Sequence, residues 1–150
     1  MQVRYYKDPV LKENRVEVYY RNQDREIENL MAFLEMEQII IGSREGETKR
    51  IFPNEIYYLE IVDRHCFAYL KEDVWQLEMS LRGFLEKYEK NGFAQIGKSM
   101  IVNIGKKEKI VPDINMRMHL LLENGEKLIV NRSYKKTFMS ALKGGDNENY

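Results

Sequence analysis

A chain of 150 residues with 24 basic and 24 acidic side chains is neutral overall, so bulk charge does not mark it as a nucleic-acid binder. A hydrophobic content of 43% suits one globular domain, or one domain with an appendage. The lone cysteine, Cys66, excludes an internal disulfide, and no apolar run reaches membrane-spanning length. These features lead to the expectation of a cytoplasmic protein.

In chain order, Val3–Tyr6 and Val16–Tyr20 alternate as strands do, with the turn signal Asp8-Pro9 between them. From Asp24 to Glu37, Ile27, Leu30, Met31 and Leu34 recur at helical spacing, and Asn22 or Asp24 can cap that helix. A third apolar run, Ile39–Ile41, leads into a turn over Ser43–Glu47 and a strand at Thr48–Phe52. The expectation is a β-β-α prefix over residues 1–44, too small to bury a core easily by itself.

From there strands crowd together, and the ten tyrosines and six phenylalanines fit a pleated surface. Glu55–Ile61, Cys66–Leu70 and Asp73–Leu77 are predicted strands, with Asp63-Arg64-His65 a polar break. Leu81–Tyr88 reads as a helix capped by Ser80 and ended by Asn91-Gly92. Phe93–Ile96 and Met100–Ile104 flank Gly97-Lys98-Ser99. Lys106–Lys109 is basic, and Lys109–Val111 is a short strand stopped by Pro112. Arg117–Leu122 and Lys127–Val130 flank Asn124-Gly125, a strong hairpin signal. A helix over Tyr134–Leu142 closes a unit spanning 45–143, and 144–150 is expected to be a disordered tail. The fold class is mainly β, α+β overall.

Enzyme chemistry finds little support. His65 and His119 stand far apart, His65 with Cys66 makes a single adjacent pair rather than a metal cluster, and no phosphate-cradling glycine loop or nucleophile elbow occurs. No cofactor, metal or small-molecule substrate is expected. Charge is unevenly placed: residues 1–44 carry net −1, whereas 93–143 carry ten basic and four acidic groups. Polar and basic residues also mark strand ends: Arg64 and His65, Lys98 and Ser99, then Arg132, Ser133, Lys135 and Lys136. Such side chains pair with phosphates or base edges, although each taken alone is equally a solvated loop tip.

Three blocks in order add a resemblance. The stretch from Gly92 to Ile104, with Lys98-Ser99 followed by Met100-Ile101-Val102-Asn103, resembles the signature of LytTR DNA-binding domains. Ile56–Glu60 is similar to that family's opening strand, and Leu120–Tyr134 to its closing hairpin, with Asn131 where the family usually has Ser. The resemblance spans about Ile51 to Leu142 and extends to stand-alone LytTR regulators, which lack a receiver domain and whose genes often sit beside one for a small membrane protein. It implies elongated antiparallel β-sheets with short helices, which read bases of double-stranded DNA in successive major grooves through loops. The matching loops are Arg64 to Cys66, Lys98-Ser99 and Arg132 to Lys135. Phosphate contacts would come from Lys98, Lys106, Lys107, Lys135 and Lys136, releasing counterions. Asn103 is expected to close a local turn. The prefix is expected to make a homodimer, to dock a membrane-protein regulator, or to cover a sheet edge. The competing expectation, which zero net charge favours, is a protein-interaction module of the same fold with weak or no DNA affinity.

Overall fold

The computed structural model describes residues 1–34, 39–115 and 117–147, with side chains as far as 143. Two compact units emerge, Met1–Leu34 and Glu35–Tyr150. The expected boundary at residue 44 therefore moves, because Ile40–Arg44 is a strand of the larger unit.

In the smaller unit the helix is found and the strands are not. Helix α1 spans Arg25–Leu34, and Asp24, not Asn22, caps it: its carboxylate accepts the Ile27 N–H at 3.0 Å. Residues 35–37 of the expected helix lie outside the described residues. Asp8 does make a turn, accepting the Val10 N–H at 3.1 Å. The runs Val3–Tyr6 and Val16–Tyr20 form no ladder, and Val3, Tyr5, Val16 and Tyr19 stay exposed. Alternation states which faces a strand would show, but it supplies no pairing partner, and an isolated two-stranded hairpin is marginal in water.

Among the described residues the larger unit holds ten strands: β1 (Ile40–Arg44), β2 (Glu47–Ile51), β3 (Tyr58–Val62), β4 (His65–Tyr69), β5 (Val74–Leu77), β6 (Phe93–Gly97), β7 (Met100–Asn103), β8 (Lys107–Pro112), β9 (Met118–Leu122) and β10 (Lys127–Val130). They build a seven-stranded antiparallel sheet, ordered β2-β1-β5-β4-β3-β7-β6, and a three-stranded one, ordered β10-β9-β8. Helix α2 (Leu81–Tyr88) begins as expected, with Ser80 Oγ accepting the Gly83 N–H at 3.0 Å. Helix α3 (Lys135–Asn147) begins one residue late and continues past the expected end at Leu142. The expected disordered tail is thus helical through Asn147, and residues 148–150 lie outside the described residues. Gly144 and Gly145 each disfavour helix by about 1 kcal/mol relative to Ala, too little to end it alone.

Strand alternation divides the large sheet between two cores. Leu59, Ala68, Trp75 and Ile101 cluster with Phe84 and Tyr88 of α2. Ala94, Ile96 and Val102 cluster with Leu120, Leu122 and Val130 of the small sheet and Phe138 of α3. Phe84 is fully buried and meets Phe93 edge-on at 4.8 Å between centroids, a burial worth about 1.5–3 kcal/mol. Close approach fixes Gly42: a Cβ there would lie 2.7 Å from Ile51 and 2.8 Å from Trp75. Among the described residues no helix is long and apolar enough to cross a membrane.

Candidate nucleic-acid interface

Pairing register decides which connections meet. Strand β3 ends in the two-residue turn Asp63-Arg64, and His65 pairs with Val62 as the first residue of β4. The polar break is therefore two residues, not three. Both turn residues have positive φ, 50° and 69°, the type I′ geometry that matches strand twist. Arg64 is thereby held at the tip in a conformation that favours glycine. Because Glu60 pairs with Met100, β7 begins where β3 ends, and the Lys98-Ser99 turn lies beside Asp63-Arg64. The Ile61 N–H donates to the Ser99 carbonyl at 2.8 Å, joining the two turns.

The third connection is fastened to the second. The Asn131 N–H donates to the Ile96 carbonyl at 2.8 Å. The Asn131 amide stands where a Gly97 side chain would be, 3.1 Å from the Cβ position. Asn131 is thus accommodated by the missing side chain of Gly97. Arg132–Tyr134 forms a single 3-10 turn directly after it, and Lys135 opens α3. Arg64, His65, Lys98, Ser99, Arg132, Ser133, Lys135 and Lys136 are all exposed.

His65 has a defined orientation. Its Nδ1 lies 3.1 Å from Gln76 Nε2. With that amide as donor, Nδ1 is the acceptor, and the ring proton sits on the outward Nε2. Cys66, next in sequence, points the other way into the core, where burial pushes its thiol up to about 11. The outward residue of this loop is therefore His65.

Lys106 and Lys107 are not part of this end. Strand β7 carries the chain roughly 13 Å away, at about 3.3 Å per residue over its four residues, before Lys106 is reached. Both lysines are half-buried, and Lys106 Nζ lies 5.1 Å from the Tyr57 ring centroid. Asn103 closes the turn between them as expected: it is buried, accepts the Gly105 N–H at 3.0 Å and donates to the Ile56 carbonyl at 2.9 Å.

Arg117, the first residue of the predicted strand Arg117–Leu122, joins this end as well. Met118 pairs with Val130, so the β8–β9 connection lies beside the end of β10 and brings Arg117 to Arg132 and Lys135. Arg117 immediately precedes a strand, as Arg132 follows one. That signal was masked by Asp113, whose charge cancels it in any count along the chain. His119, Arg117 and the Arg117 backbone hold the Asp113 carboxyl down at about 2.

With this geometry in place, comparison with known proteins adds three findings. A profile of LytTr DNA-binding domains matches residues 46–143. The sensory transduction protein LytT of Enterococcus faecalis is 28% identical over 92 residues, covering 61% of this chain and 38% of that protein. The chain thus spans well under half the length of this relative. A solved LytTr DNA-binding domain from Bacillus cereus superposes with a TM-score of 0.66 at 25% identity, covering 70% of this chain and 96% of that domain.

Proposed function

The chain belongs to the LytTR family of DNA-binding domains, and on that premise we propose that it regulates transcription by reading major-groove bases of double-stranded DNA with the turns gathered at one end of its large sheet. The observation that supports this reading is the convergence of three separate connections, each carrying exposed cations, at the end where β3 meets β7. Arg64, Lys98, Lys135 and Lys136 would neutralise phosphates. Arg132, through a bidentate pair, and His65, through its outward N–H, would address acceptors on base edges, with Ser99 and Ser133 adding hydrogen bonds. Lys106 and Lys107 leave the contact set because they lie at the other end of the sheet.

The test is a fluorescence titration of the full chain with duplex DNA across a salt series. Four phosphate contacts give a slope of log affinity against log salt of about −3 to −4. Absence of binding at low salt would favour the second reading, a protein-interaction module of this fold, for which the neutral net charge speaks.

The prefix is proposed to pair two copies. Its exposed Val3, Tyr5, Val16 and Tyr19 supply apolar surface, and two joined modules gain avidity for repeated half-sites. Sedimentation of the full chain at tens of micromolar should show a dimer, and a monomer there would remove this role.

A further inference from the structure

Beside the base-reading arginine lies a concavity of about 230 Å³ lined by Asn115, Arg117, Met118, Val130, Arg132 and Lys135. Its floor and its rim differ in chemistry. Val130 is buried and Met118 half-buried, so the floor is apolar. Arg117, Arg132 and Lys135 are exposed cations from two connections, the one before β9 and the one after β10. Three like charges gathered over an apolar floor repel one another, and Asp113 offsets only that of Arg117.

Arg117 is also held in a particular way. Asp113 Oδ1 accepts the backbone N–H groups of Asn115 and Arg117 at 2.9 and 2.8 Å, fixing the turn. Asp113 Oδ2 accepts Arg117 Nε at 3.0 Å, and His119 Nε2 lies 2.8 Å from the same oxygen. The carboxylate thus engages the inner edge of the guanidinium. The two outer Nη groups make no hydrogen bond to a described residue, and together they form the fork that fits a phosphate end-on.

We propose that this concavity binds one sugar–phosphate unit of the DNA backbone, with the deoxyribose against Met118 and Val130 and the phosphate between Arg117 and Lys135. Asp113 acts as a positioning residue that aims Arg117. This inference rests on the DNA-binding reading above and adds a fourth connection to it. It also gives Arg132 a register, because a backbone phosphate held next to it fixes how far its side chain reaches toward the bases.

The experiment is a fluorescence anisotropy titration of the full chain with two unrelated mixed-sequence duplexes across a salt series. Arg117→Ala should weaken binding to both duplexes alike, by roughly tenfold, and should reduce the magnitude of the salt slope by about 0.9. Arg117→Lys should restore the slope while recovering only part of the affinity, since it returns the charge without the fork. Arg82→Ala, an exposed cation paired with Glu86 on α2, should leave the slope unchanged. Thermal unfolding of each variant checks that the fold is kept. An unchanged slope for folded Arg117→Ala, with the parent chain binding normally, would overturn the inference and leave the DNA-binding reading intact. A loss confined to one duplex would make Arg117 a base reader and equally remove the backbone assignment. No binding by the parent chain would remove both readings.

Discussion

Cations stand at both ends of the seven-stranded sheet, but the two ends treat them differently. At the end holding the β1–β2, β4–β5 and β9–β10 turns, three of the cations are occupied. Arg44 and Lys49 lie over the Trp75 ring at 4.4 and 5.7 Å, Lys49 pairs with Asp73 at 3.7 Å, and Lys106 covers Tyr57. Tyr58 stacks on Tyr69 at 4.2 Å there, and burial, together with donation to Glu126, raises its pKa. At the other end, Arg64, Lys98, Arg132 and Lys135 extend into solvent, and Arg117 has its outer donors turned outward. A count of basic residues does not separate these ends. Prior engagement does, because a cation whose charged tip is already stacked or paired must break that contact before it can meet a phosphate, whereas the Asp113 contact of Arg117 uses only its Nε.

The largest effect expected from this contrast is on specificity. Arg132→Ala should weaken binding to a target duplex by about 1–3 kcal/mol more than to a scrambled one. Lys106→Ala should leave both affinities within about twofold, a change below about 0.5 kcal/mol. Parallel titrations of the two variants measure this, and a uniform loss with Lys106→Ala would break the distinction between the ends.

Next comes a stability effect at the occupied end. Asn103→Ala leaves the buried Ile56 carbonyl and the Gly105 N–H without their partner, at about 1–3 kcal/mol. Urea unfolding should show that loss, while the folded fraction keeps the parental salt slope.

Arg64→Gly sharpens the comparison from the loop end. Glycine relieves the positive φ of 69°, so stability should be unchanged or rise by up to about 1 kcal/mol. DNA affinity should fall all the same. A parallel fall in stability would mean that Arg64 serves the fold instead.

The smallest expected effect concerns Cys66. Its thiol is raised from the ordinary value to about 11 by burial, which favours the neutral form in the folded state. The stability this provides is fully present below about pH 8.5 and is lost as pH rises through about 11. At pH 8 a thiol reagent should label native protein far more slowly than urea-unfolded protein. Fast native labelling would show the loop end opening around His65.

Local features were legible from sequence because a few consecutive residues dictate them. Ser80 caps α2, Asn124-Gly125 turns β9 into β10, Lys98-Ser99 makes a hairpin tip, and Asp24 starts α1. Each needs only a dihedral preference or a side chain within reach of its own backbone. The three motif blocks carried the family for the same reason. Which connections share an end was decided only by tertiary structure. Glu60 meets Met100, Asn131 lodges over Gly97, and Asn103 bonds across 47 residues to Ile56. Alternation at period two shows which residues share a face, but it is blind to register and to strand order. Arg117, Lys106 and Lys107 therefore take their places only in the tertiary structure, and the two alternating runs near the N-terminus form no ladder among the described residues.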